Sequence, residues 1–137
     1  MHGYIIMTRR KLVGAALGAG VLARAQDAGL RKKVRLGMVG FDGHPEEILR
    51  QLPKMPDVEL VAIADAGSAP DALASALKQS AVAKARRYPG VTEMLATEKL
   101  DMVAVCNNNG GRAAAILACA ARKLDVIAEK PLGLNRS

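Results

Sequence analysis

Four short apolar runs constrain this chain more than any other feature of it: VRLGMV (Val34–Val39), VELVAIAD (Val58–Asp65), DMVAVCN (Asp101–Asn107) and DVIAE (Asp125–Glu129). Each is nearly continuous in its apolarity, as a strand buried on both faces of a parallel sheet requires; a half-exposed strand would alternate. Helical patterns separate them. Pro45–Leu52 carries proline at a helix-compatible first position and Glu46 and Glu47 in its first turn, and Pro53 and Pro56 stop it. Ala69–Ala81 reads as a second helix with Pro70 near its start, Val91–Thr97 as a short third and Gly111–Lys123 as a long alanine-rich fourth. A weak strand is expected at Ala85–Tyr88, before the Pro89-Gly90 break. Such alternation with right-handed crossovers predicts an α/β fold, a doubly wound parallel sheet in a single domain. Numbered along the chain, the strands should lie in the order 3-2-1-4-5. Ligands should bind at their carboxyl ends, over the switch point between strands 1 and 4.

A chain of 137 residues, half of them hydrophobic, can bury one core. With 2% aromatic residues that core must be aliphatic, which excludes an aromatic stacking platform for single-stranded nucleic acid. The net charge of +7 is largely local: Arg9, Arg10, Lys11 and Arg24 lie in the first 26 residues, where there is no acid, and removing them leaves +3. No nucleic-acid partner is expected. Cys106 and Cys119 sit in apolar surroundings and read as buried thiols, and the only histidines, His2 and His44, have no partner at ligand spacing, so no metal is expected.

The first 32 residues read as a leader and linker, with the folded domain at 33–137. Met7–Gln26 begins with the pair Arg9-Arg10, continues through a mildly apolar Leu12–Ala23 and ends near Ala23-Arg24-Ala25, an A-x-A-like cleavage site. The apolar run is too short to span about 30 Å of hydrocarbon, so no stable membrane insertion is expected. The layout resembles a twin-arginine export signal, and initiation at Met7 would make it cleaner. Export to the periplasm or beyond is the expectation, and a cytoplasmic location if the signal does not function.

Four segments at the expected carboxyl edge could carry chemistry. Gly40-Phe41-Asp42-Gly43-His44 joins the first strand to a helix whose N-terminal N–H groups could hold a pyrophosphate; Asp42 and Pro45 stand where a G-x-G-x-x-G turn has its later glycines. Asp65 ends the second strand about 25 residues after Gly40, near the spacing at which a carboxylate meets the adenosine ribose, which favours NAD over NADP. Asn107, Asn108 and Asn109 follow the fourth strand and could either contact a dinucleotide or simply turn the chain and cap the next helix. Glu129, Lys130 and Pro131 follow the fifth, where an ammonium could polarise a substrate oxygen.

Together these motifs resemble the N-terminal, Rossmann-like half of the glucose–fructose oxidoreductase and inositol dehydrogenase group, Gfo/Idh/MocA, over about Lys33 to Asn135. The resemblance implies that the glycine turn meets the pyrophosphate, Asp65 the adenosine ribose and Glu129 the nicotinamide side, with Lys130 contributing to catalysis. It further implies an NAD(P)-dependent oxidation of a sugar or cyclitol-like hydroxyl. Two departures stand out. Asp42 replaces the second glycine of the turn, and Arg112 occupies the place where the family's loop is often followed by a histidine. The family's second domain, which supplies most substrate contacts and an acid/base histidine, has no counterpart before Ser137. The expectation is therefore a partial chain, inactive alone, that meets a small-molecule substrate through that domain and is able to oligomerise when full length. The alternative is a non-catalytic Rossmann-type module for interaction or regulation.

Overall fold

The computed structural model describes residues 4–7 and 32–132. One six-stranded sheet organises them. Strand β1 (Tyr4–Met7) is followed by β2 (Val34–Val39), helix α1 (Pro45–Leu49), β3 (Val58–Ala64), α2 (Pro70–Ala76), α3 (Ser80–Lys84), β4 (Arg86–Tyr88), α4 (Val91–Thr97), β5 (Met102–Val105), α5 (Asn109–Ala121) and β6 (Asp125–Glu129). The spatial order is β1-β6-β5-β2-β3-β4. β2 to β6 are mutually parallel and occupy the expected order, with the switch point between β2 and β5.

β1 is an addition. The sequence reading expects no strand before Lys33, yet Tyr4–Met7 pair antiparallel with β6, Tyr4 opposite Glu129 and Met7 opposite Val126. Most of the segment read as a leader, including Arg9-Arg10 and the Ala23–Ala25 motif, lies outside the described residues. So do Gly133 to Ser137.

The helices divide between the faces as the switch requires. Leu49 of α1, Leu73 and Ala76 of α2 and Val82 of α3 pack with Leu36, Met38, Leu60 and Ile63 on one face. Met94 and Leu95 of α4 and Ala115 and Cys119 of α5 pack with Val39, Ala62, Val103, Val105 and Val126 on the other. In α5 the buried positions Arg112, Ala115 and Cys119 recur at intervals of three and four, the spacing of one helical face.

Two local features escape a reading by periodicity. The helix expected over Ala69–Ala81 is broken, because Gln79 is extended, with ψ 129°, between α2 and α3. A continuous helix sharing the face of Leu73 and Ala76 would turn Ser80 and Lys84 inward. The break rotates α3 so that fully buried Val82 takes that place. In the sheet, Leu36 pairs with Leu60 but Gly37 pairs with Ala62, so β3 carries one extra residue there. Leu60 and Ile63, three apart, therefore share a face, and every later residue of β3 faces opposite to the side simple alternation assigns.

Burial raises the Cys106 thiol to about 12, with Glu129 adding to the effect, and raises Cys119 to about 11. Both are free and buried. Unfolding restores ordinary thiols, so above pH 9 the unfolded chain binds fewer protons than the folded one, and stability should fall as pH rises from about 9 towards 12. At pH 8, iodoacetamide should label neither cysteine in folded protein and both in urea, as read by intact mass. Rapid labelling of the folded chain would contradict the packing of both faces.

Candidate dinucleotide site

Because β2, β3, β5 and β6 run in parallel, their carboxyl ends open onto one edge. This edge gathers the Gly40–His44 turn, the Asp65–Ser68 turn, the Asn107–Asn109 loop and Glu129–Pro131.

Gly40, just after β2, lies close against Asn107 after β5. It has φ +71°, the left-handed region that favours glycine, and an added Cβ would lie 2.3 Å from the Asn107 Cβ and 2.5 Å from its Cα. Its N–H donates to the Ala64 carbonyl (2.9 Å). Phe41 turns into the core, and its N–H donates to Ser68 Oγ (2.9 Å). The Phe41 side chain therefore serves packing rather than the edge. Gly43 donates to the Cys106 carbonyl (2.8 Å), and a Cβ there would come within 2.1 Å of Glu129 Oε2. The His44 N–H donates to Glu129 Oε1 (3.0 Å), and its ring Nδ1 lies 2.8 Å from the same oxygen.

Asp42, which replaces a glycine, is directed away from the turn's own donors. Its Oδ1 accepts from the N–H of Ala69 (2.8 Å), the residue that caps α2.

Asp65 directly follows β3, with Oδ2 2.9 Å from Arg87 Nη2, while Oδ1 is buried and has no hydrogen-bond partner. Asn107 is 4% exposed, and its carbonyl accepts from Arg112 Nη2 (2.7 Å). Asn108 caps α5, its Oδ1 accepting from the Gly111 N–H (3.1 Å), and Asn109 is the exposed first helical residue. The helix-capping reading of this loop thus holds for Asn108.

Glu129 is 9% exposed and, besides His44, faces Arg112, with Oε2 3.5 Å from Nη2. Arg112 is itself buried, and its Nη1 donates to the Pro131 carbonyl (3.0 Å). Lys130 is exposed at the end of β6, and the Lys130–Pro131 peptide is cis. Arg112 thereby ties the Asn107 loop to the Glu129–Pro131 turn. In the sequence Arg112 stands out only as a departure from the resembled loop. Its place on the buried face of α5, three residues before Ala115, was the available signal. Arg87 and Ser68 carried none, because each acts through a partner distant in sequence.

Among the described residues no group of three or more His, Cys, Asp or Glu could hold a metal ion, and no helix is long and apolar enough to cross a membrane.

Solved structures share this architecture. A WlbA dehydrogenase from Bordetella pertussis, crystallised with NADH and UDP-GlcNAcA, is 26% identical with a TM-score of 0.62 over 74% of this chain and 30% of its own. A myo-inositol 2-dehydrogenase from Lactobacillus plantarum is 25% identical, with a TM-score of 0.63 over 76% of this chain and 30% of its own. A probable dehydrogenase from Thermotoga maritima is 29% identical, with a TM-score of 0.60 over 74% of this chain and 29% of its own. The chain thus spans about three tenths of the length of these proteins. No curated protein sequence matches it significantly. Residues 34–136 match the model of an oxidoreductase family with an NAD-binding Rossmann fold, and the chain belongs to that family, Gfo/Idh/MocA.

Proposed function

We propose that this chain is the dinucleotide-binding part of an NAD-dependent oxidoreductase that acts on a hydroxyl of a sugar or cyclitol-like substrate. The observation that carries the reading is the position of Asp65 at the carboxyl end of β3, on the same edge as the Gly40–His44 turn and Lys130. The Asp65 side chain is 25% exposed, so its carboxylate can accept from a ribose hydroxyl at this edge. The similar WlbA dehydrogenase holds NADH, and the sugar-nucleotide and inositol names among the relatives support the substrate class. Together with the repulsion of a 2′-phosphate by Asp65, this favours NAD over NADP.

When bound, the nicotinamide would supply the hydride chemistry. This chain's residues would orient it. Gly40 and Gly43 let the turn lie close against β5 and β6, and Asn107, Asn108 and Asn109 would border the nicotinamide half. Glu129 would act through its contacts with His44 and Arg112, and the Lys130 ammonium would stabilise negative charge on the substrate oxygen. The remaining substrate contacts and the acid/base group would come from a second domain, as would an oligomer interface. Export through the twin-arginine-like leader is part of the same proposal and is tested by fusing residues 1–32 to a reporter and following its transport.

A second reading, a non-catalytic module for interaction or regulation, is favoured by one observation. The N–H groups of Phe41, Gly43 and His44 are already engaged within the protein, which leaves the turn fewer donors for a pyrophosphate. Fluorescence and calorimetric titration of the chain with NADH separates the two. Saturable binding below millimolar concentration is expected, and no binding at millimolar NADH would leave the non-catalytic module as the reading.

A further inference from the structure

We propose that Arg87 limits the cofactor selectivity of this chain, by partly offsetting the charge of Asp65 and offering a guanidinium to a 2′-phosphate, so that NAD(H) stays preferred but NADP(H) is still admitted. The inference rests on the dinucleotide reading above and deepens it at the adenosine ribose. Three observations carry it. Arg87 Nη2 lies 2.9 Å from Asp65 Oδ2, while the Arg87 side chain is 52% exposed and that of Asp65 25%. The cation therefore sits on the solvent side of the pair. Second, the register places Arg87 directly opposite Ile63, and the extra residue in β3 puts Ile63 on the face of α1 to α3. By alternation Asp65 and Arg87 then project on that same face, and without the extra residue Asp65 would face the other side. Third, the two flanking residues of β4 are committed elsewhere. Arg86 Nη1 and Tyr88 Oη both bond Glu98 Oε1, at 3.2 and 2.7 Å, which leaves Arg87 as the strand's cation at the Asp65 end.

A lone carboxylate at this position discriminates against NADP(H) by repelling the 2′-phosphate, whereas a nearby arginine accommodates it. Here the two are joined. A ribose 2′-hydroxyl can share Asp65 Oδ2 with Arg87, and a 2′-phosphate can take Arg87, whose planar fork suits phosphate oxygens. One pair would serve both cofactors.

The test is titration of the full chain, wild type, Arg87→Gln and Asp65→Asn, with NADH and with NADPH, following fluorescence and heat. For the wild type the two dissociation constants should lie within about tenfold of each other. Arg87→Gln should raise the NADPH constant by at least about tenfold while changing that for NADH by less than about threefold. Asp65→Asn should shift the ratio towards NADPH. Wild-type binding of NADH with a ratio unmoved by Arg87→Gln would overturn the selectivity proposal and leave the dinucleotide reading standing. Failure of the wild type to bind either cofactor would overturn both. Arg87 is half exposed, and thermal melting of each variant verifies that it is folded.

Discussion

Replacing Gly40 with alanine should destabilise the fold by about 2–5 kcal/mol. Two costs combine: about 1–2 kcal/mol for holding a side chain in the left-handed region, and about 1–3 kcal/mol for overpacking. The second cost arises because the new Cβ would meet Asn107 Cβ at 2.3 Å and its Cα at 2.5 Å, so backbone rather than a flexible side chain must move. Gly67 supplies the internal control. It has nearly the same conformation, φ +72°, but nothing within 4 Å of an added Cβ, so Gly67→Ala should bear only the conformational cost. Urea denaturation of the two variants reads the difference. Equal losses would mean that the β2 and β5 ends are not held together as described. Cofactor binding should suffer along with stability at Gly40, because separating these strand ends widens the switch point at which the dinucleotide is proposed to lie.

Replacing Arg112 with methionine should cost about 3–5 kcal/mol, the range for removing one partner of a buried ion pair. Methionine retains much of the stem's packing but leaves Glu129 buried without its guanidinium, and the Asn107 and Pro131 carbonyls lose their donors. The double variant Arg112→Met, Glu129→Gln should lose less than the single one, since the uncompensated charge is gone while an amide oxygen can still accept from the His44 N–H. Equilibrium denaturation of the wild type, both single variants and the double variant closes the cycle. A loss below about 1 kcal/mol for Arg112→Met would show that the pair, at 3.5 Å, is only an incidental approach. The cluster is not fully satisfied even in the wild type, because Arg112 Nε and Asn107 Oδ1 are buried without partners.

These expectations show where a reading of the sequence reaches and where it stops. Val34–Val39 and Asp125–Glu129 were legible to the residue, because a buried parallel strand is a continuous apolar run closed by turn residues. The order of the five parallel strands followed from alternation and the handedness of crossovers. The candidate edge followed in turn, since parallel strands bring Gly40, Asp65, Asn107 and Lys130 to one side whatever their separation in sequence. The break at Gln79 was not legible, for it is decided by the pull of Val82 into the core. Nor was β1, whose pairing with β6 spans most of the chain.

The sequence by itself determined the class of fold, the order of its five parallel strands and the edge on which any ligand should lie, because these depend on periodicity and chirality, which are local. Only the tertiary structure decided what each polar side chain on that edge does. Asp42 accepts from the Ala69 N–H across 27 residues, Arg87 pairs with Asp65 across 22, and Glu129 reaches His44 across 85. One extra residue in β3 determines the face on which Asp65 emerges. A hydrogen bond is made or lost within a few tenths of an ångström. Register, bulges and helix rotation set such distances, and residue type and spacing do not encode them.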